Sequence, residues 1–381
     1  MKRKTATKAA LGELGIQSNQ SPAKRSEKVA RTAFLPEAPP PGWKGPLLEA
    51  KTYVSVKSVR AADRPSVLRL SLRPDRQKDY APEKVALLPN LGHLYVFDRD
   101  DARLRLLLTA LAGLAHFHWL ELRGVIAAPP ELGALRGLRE LTIRKPPNTR
   151  GCGLATLPTE IGKLAALETL TLWGGPLESF PKSFADLAKL RSCRLLDLAL
   201  TALPDSFGRL PSLEALSVRA PRLDAVSAIT MLGKSKSLRS LSLSSEHHGE
   251  VESLRALLRV VSLSLTLGLS EVPKDVAKLA ALRFLSLDFN RLERVPESLA
   301  EAPALETLSV HGNRTLDTDQ VVDVALRSRS LRGLCLPNAG PSPAAEKKLR
   351  AAEFRRAASM TGDQWFRGDL LASWRSIARN S

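Results

Sequence analysis

A short apolar phrase recurs along this chain, as in Leu167-Glu-Thr-Leu170-Thr-Leu172, Leu213-Glu-Ala-Leu216-Ser-Val218, Leu282-Arg-Phe-Leu285-Ser-Leu287 and Leu305-Glu-Thr-Leu308-Ser-Val310. A second phrase precedes many copies, as in Leu157-Pro158-Thr-Glu-Ile161-Gly162-Lys-Leu164 or Val295-Pro296-Glu-Ser-Leu299. Taking the fourth position of the first phrase as a marker, copies fall at Leu94, Leu120, Leu141, Leu170, Cys193, Leu216, Leu241, Val261, Leu285, Leu308 and Leu334, with a degenerate one at Leu68. A unit of roughly 20 to 29 residues cannot bury its own leucines, so it must stack on identical neighbours; the spacing predicts a solenoid.

Each phrase alternates, which makes it a strand whose marker, with the residue two further on, enters the core while their neighbours face outward. The residues so displayed are His93, Tyr95, Phe97, Trp119, Arg123, Arg144 and Trp173 toward the N-terminal end. Arg194 and Arg219 follow, then the serines Ser217, Ser240, Ser242, Ser244, Ser262 and Ser286, and finally Phe284, Asp288, Phe289 and His311. Aromatic and Arg side chains supply much of the energy at protein interfaces, and rigid strands present them at little entropic cost. Tyr95, Phe97, Trp119, Arg123, Arg144, Trp173, Arg194, Arg219, Phe284, Asp288, Phe289 and His311 are therefore the candidate protein-binding residues. The competing reading is that Tyr95, Phe97 and Trp119 lie beneath an N-terminal cap.

The L-x-x-L-x-L spacing with Leu-Pro-x-x-Ile-Gly segments resembles the leucine-rich repeat family, and the pattern looks like its bacterial and plant-intracellular branch. The resemblance covers about residues 90–340. It implies an α/β repeat solenoid: a curved parallel sheet on the concave side, short helical turns on the convex side, and caps at both ends. Asn290 and Asn313 match the family's turn asparagine, whose amide bonds the turning backbone, whereas Gly175, Leu198, Pro221 and Glu246 stand at the equivalent positions elsewhere. The function implied is non-enzymatic binding of a protein partner on the concave face.

Outside the repeats the composition changes. Residues 1–35 carry eight Lys or Arg against Glu13 and Glu27, with little to bury, and read as a disordered arm leading into the Pro-rich linker at 36–42. Residues 43–90, with Tyr53-Val-Ser-Val56 and Val67-Leu-Arg-Leu-Ser-Leu72, read as an N-terminal cap and degenerate first repeat; the solenoid is assigned to 91–340. A helical cap is expected over 341–381, beginning at Ser342-Pro343 and carrying Leu349, Phe354 and Ala358, then resuming at Asp369. A minority reading lets the face from Trp365 to Ile377 dock a partner instead.

Catalytic and metal chemistry finds little support. Ala228-Ile-Thr-Met-Leu-Gly233-Lys234-Ser235 fits a relaxed phosphate-loop pattern, but a repeat strand follows where the phosphate-holding helix would have to begin. Glu246, His247, His248 and Glu250 sit side by side in one insertion, a spacing that seldom converges on a metal. No cofactor is expected. Three cysteines give no disulfide framework, and no apolar run is long enough to span a membrane. These features suggest a cytoplasmic protein; the Ser/Thr/Gln-containing arm also resembles bacterial export arms, which leaves a secreted effector as the alternative. A net charge of +18 raises a third reading, weak non-specific nucleic-acid binding through the basic arm.

Overall fold

The computed structural model describes residues 61–72, 82–146, 153–246, 250–357 and 363–368. The basic arm, the Tyr53-Val-Ser-Val56 segment, His247, His248 and the second helix expected from Asp369 lie outside the described residues.

Every marker phrase forms a strand. They are β1 Arg69–Leu72, β2 His93–Phe97, β3 Trp119–Arg123, β4 Glu140–Arg144, β5 Thr169–Gly175, β6 Ser192–Leu198 and β7 Ala215–Arg219. The series continues as β8 Ser240–Ser244, β9 Ser262–Thr266, β10 Phe284–Ser286, β11 Thr307–Ser309 and β12 Gly333–Leu336. All twelve pair in parallel and in chain order, the expected outcome when each repeat buries its apolar face on the next. The register places Leu94, Leu120, Leu141, Leu170, Cys193, Leu216, Leu241, Leu263, Leu285, Leu308 and Leu334 in one continuous row, and each is buried.

Two expected markers move by two residues. Leu70, not Leu68, lies opposite Leu94, and Leu263, not Val261, lies between Leu241 and Leu285. Both phrases alternate beyond the marker, and a slip of two leaves the same face inward, so alternation alone cannot choose between the registers.

On the other side of the core the connections are single turns of 3-10 helix: Pro130–Ala134, Thr159–Lys163, Lys182–Asp186, Asp205–Gly208, Lys274–Lys278 and Glu297–Glu301. A proline in extended conformation, or close to it, precedes each, at Pro129, Pro158, Pro181, Pro204, Pro273 and Pro296. Its missing N–H falls where no helical acceptor exists. Three connections are long enough for α-helices: α1 Asp101–Leu111, α2 Ala225–Leu232 and α3 Thr318–Arg327. Each is capped by an aspartate, Asp100, Asp224 or Asp317, whose carboxylate accepts backbone N–H groups of the first turn.

The turn leaving each strand has its own requirement. Gly124, Gly174, Asp197, Phe289 and Gly312 stand four residues after their markers, and all five have positive φ. Where the next residue is asparagine, its amide closes the turn. Asn290 accepts from the backbone N–H of Leu267 and Leu269, both at 3.0 Å, and donates to the carbonyls of Leu265 at 2.8 Å and Leu287 at 2.7 Å. Asn313 repeats the arrangement with Leu292, Leu287 and Val310. These amides satisfy buried backbone groups of two adjacent repeats at once.

The C-terminal end departs from the all-helical expectation. A helix, α4 Pro343–Ala351, does begin after Ser342, which caps Ala345, and Leu349 is buried. Glu353 then turns the chain at φ 64°, burying Phe354, and the chain returns as strands β13 Arg355–Ala357 and β14 Asp363–Phe366. β14 runs antiparallel to β12 and closes the end of the parallel stack, with β13 outside it. Trp365 is wholly buried there, its indole N–H donating to Asp363 at 2.8 Å while Arg350 and Arg356 lie over the ring. Trp365 thus belongs to the closure and does not face a partner.

Asn290→Ala should expose the dependence on the turn amide. It strands the N–H groups of Leu267 and Leu269 and the carbonyl of Leu265 in the core, while the Leu287 carbonyl keeps the Asn313 amide; each buried unsatisfied group costs about 1–3 kcal/mol. Urea denaturation should show a loss of about 3 kcal/mol or more, at least comparable with the roughly 2–5 kcal/mol of Leu285→Ala. A loss below about 1 kcal/mol would mean that the amide merely fills space.

Candidate functional site

The open face of the sheet carries the residues between the buried ones, and on β2–β7 they form one connected run. The Arg123 guanidinium lies 4.9 Å from the centre of the Tyr95 ring and donates to Glu121 at 2.8 Å. Glu121 also faces Arg144 at 3.7 Å, and Arg144 stacks 4.0 Å above Trp173. The Trp173 indole N–H reaches Asp197 at 3.0 Å, and Asp197 accepts two hydrogen bonds from Arg219, at 2.7 and 3.0 Å. Tyr95, Glu121, Arg123, Arg144 and Trp173 are half-buried and none belongs to the core, so their positions are fixed mostly by one another and by the strands beneath.

Burial and pairing set the charge of this run. Desolvation lowers the pKa of Arg144, with Glu121 opposing and Arg123 reinforcing the shift. Burial acts to raise Asp197, but hydrogen bonds from Arg219 and Trp173 and the charge of Arg219 and Lys145 outweigh it and hold the carboxyl below its ordinary range. The Asp197 carboxylate therefore stays ionised at neutral pH.

Asp197 occupies the left-handed turn position that Gly174 holds in the preceding repeat, at φ 56°. That conformation swings its carboxylate toward Trp173 and Arg219. Phe289 is the other non-glycine residue there, at φ 55°, and it is the most exposed large apolar side chain among the described residues, 64 % accessible. Its ring meets His311 edge-on at 5.3 Å. Asp288, one residue earlier, accepts from Ser309 at 2.7 Å and from the His311 backbone at 2.8 Å. Burial raises its pKa against those hydrogen bonds.

The other candidates are placed less freely. Phe97 is half-buried on the same row as Arg123, with Arg99 6.0 Å from its ring. Trp119 is half-buried and bonds Glu140, whose pKa burial raises. Arg194 is exposed, between Thr171 and Ser217. Phe284 takes its predicted row opposite Ser262 and Thr307 but is buried, as are Ser286, Thr307 and Ser309 around it. The carboxylates Glu121 and Asp197, which tie the run together, were not among the residues singled out from the sequence. Glu121 stands at a display position and could have been; Asp197 stands where strand alternation has already ended.

His93 lies against His118, with ring centres 4.7 Å apart, and against Trp119 at 5.7 Å. Burial, then the charges of His118 and Arg69, push its pKa down to about 3. The unfolded chain therefore binds this proton at a higher pH than the folded one. Stability should fall as pH drops from about 6.5 toward about 3, and level off below that. His93→Phe should flatten that part of the curve relative to the parent in urea titrations at stepped pH; identical curves would mean His93 is freely protonated in the fold.

The phosphate-loop-like motif resolves as structure. Residues 228–232 of the phosphate-loop-like segment are themselves helical, in α2, and Lys234 and Ser235 follow the helix instead of preceding one. Ser235 is buried and accepts the N–H of Leu238 at 3.2 Å on the way into β8. Among the described residues, no group of His, Cys, Asp or Glu is placed to hold a metal ion, and no helix is long and apolar enough to cross a membrane.

The parallel strand row, the one-turn connections and the asparagine-closed turns define a leucine-rich repeat solenoid. A family model described as a leucine-rich repeat region matches residues 131–264, within that row, and the chain folds as a leucine-rich repeat solenoid. No curated protein matches the sequence. Among solved structures, the chain is similar to a leucine-rich repeat protein of Leptospira interrogans at 20 % identity, covering 79 % of this chain and 97 % of that one with a TM-score of 0.38. An internalin of Listeria monocytogenes is 14 % identical over 66 % of this chain and 70 % of its own, with a TM-score of 0.44. A chain of the Drosophila Toll–Spatzle complex is 17 % identical over 72 % of this chain and 37 % of its own, with a TM-score of 0.46. These likenesses concern the fold alone.

Proposed function

We propose that this chain is a non-enzymatic interaction module of the cell interior that binds a protein partner on the open face of its sheet. The supporting observation is the run from Tyr95 through Arg123, Glu121, Arg144, Trp173 and Asp197 to Arg219, which crosses six adjacent strands without entering the core. Its side chains already hold one another before any partner arrives, which lowers the entropy to be lost on binding. Trp, Tyr and Arg are also the residue types that carry most interface energy. Phe289 adds an exposed ring on a turn fixed by Asn290.

Affinity capture from cell extract tests the reading. Trp119→Ala, Trp173→Ala and Phe289→Gly should each weaken partner recovery about tenfold or more, corresponding to roughly 1.4 kcal/mol or above. Glycine suits the left-handed turn at 289, so Phe289→Gly removes the ring without straining the backbone. Lys163→Ala, on the opposite side of the solenoid, should leave recovery unchanged. Equal recovery by all variants would place the partner elsewhere, and early melting of Trp119→Ala and Trp173→Ala would make those rings structural.

A further inference from the structure

The part of the open face that the aromatic run leaves bare is a floor of hydroxyls. Ser217 on β7, Ser240, Ser242 and Ser244 on β8, and Ser262 and Ser264 on β9 are all half-buried on the open side. They lie in register: Ser217 beside Ser242 beside Ser264, and Ser240 beside Ser262. Among the described residues none of these six hydroxyls is engaged by another side chain. Neighbouring hydroxyls are spent differently, Thr266 on the Asp288 carbonyl and Ser309 on the Asp288 carboxylate. The floor therefore offers donors and acceptors, and its small side chains let a ligand approach the sheet closely.

Period decides between occupants. Along β8 and β9 the hydroxyls recur at every second residue, about 6.5–7 Å apart, which is also the interval at which an extended peptide turns its backbone groups to one side. A helix has already used its backbone groups internally and repeats every 5.4 Å or so, matching neither the chemistry nor the spacing.

Charge decides what the peptide carries. The cations on and beside β6–β8 are Arg191, Arg194, Arg219 and Arg239, against the carboxylates Asp197, Glu214 and, just past β8, Glu246. Asp197 is held by Arg219 and Glu214 by Arg191 at 3.3 Å. The Arg239 guanidinium meets only the carbonyls of Lys236 and Leu238, at 3.3 and 3.0 Å. The border of the floor on its β6–β8 side thus has positive charge in excess, while beyond β9 the Asp288 carboxylate is taken up by Ser309 and the His311 backbone.

We propose that the serine floor of β7–β9 receives an extended, Asp- or Glu-bearing segment of the partner protein, running along the strands. This assignment rests on the docking reading above and adds the chemistry of what docks.

The test is selection of short random peptides on the full chain, followed by fluorescence-anisotropy titration of the enriched peptides. The enriched pool should be rich in Asp and Glu and poor in Lys and Arg. Ser242→Trp and Ser264→Trp, which fill the floor, and Arg239→Glu, which reverses its border charge, should each weaken binding about tenfold or more at unchanged melting temperature. If the Trp variants melt early, Arg239→Glu decides alone, since Arg239 is exposed at the rim. Acidic peptides that bind the folded floor and border variants as well as the parent overturn the proposal. An enriched pool without acidic character, still blocked by Ser242→Trp, overturns the acidic assignment while leaving a docking face in place. A pool indifferent to every open-face variant, or no enrichment at all, overturns it as well, the former removing the docking face too.

Discussion

The structure depends on one constraint: no repeat can bury its marker leucine alone. The row from Leu70 to Leu334 exists because each side chain needs the repeat before and after it to leave water, and burying one leucine stabilises by about 1.5–3 kcal/mol only when both neighbours are present. The parallel pairing of β1–β12, the one-turn connections and the closure by β14 all follow from keeping that row continuous and covered at its end. Trp365 and Phe354 finish the row with larger side chains where no further repeat supplies a leucine.

Stacking also fixes the other face. Parallel strands in register align every displayed residue with its neighbours one repeat away, so residues roughly two dozen positions apart in sequence become adjacent. Arg144 and Trp173, or Asp197 and Arg219, meet for that reason and for no local one. The turn adds a second device. Its left-handed position ordinarily suits glycine; Asp197 and Phe289 stand there instead, one aiming a carboxylate into the aromatic run and the other projecting a ring. Non-glycine residues in this conformation cost about 1 kcal/mol or more, and both side chains are tied to the open face.

Much of this was legible in the sequence because a period of two within strands and of about two dozen between them is written directly in leucines. The strand row and the outward placement of Tyr95, Trp119 and Trp173 come from that alone, whereas the turn roles of Asn290 and Asn313 came from the resemblance to the leucine-rich repeat family. Three things were not legible. Alternation left the register at Leu70 and Leu263 open by two residues, since either choice buries the same face. The Asp197 contact depends on a backbone conformation that the residue type does not advertise. The strands at 355–357 and 363–366 form only because β12 leaves an edge to be closed, a tertiary demand with no local periodicity behind it.

The account holds that the core and the open face are physically separable, although they alternate residue by residue. Urea denaturation of Leu195→Ala and Arg194→Ala, adjacent on β6 and facing opposite ways, tests this most directly. Leu195→Ala should lose about 2–5 kcal/mol, and Arg194→Ala should stay within about 1 kcal/mol of the parent, as changes at exposed positions usually do. Comparable losses from the two would contradict the separation, and with it the placement of a binding face on this sheet.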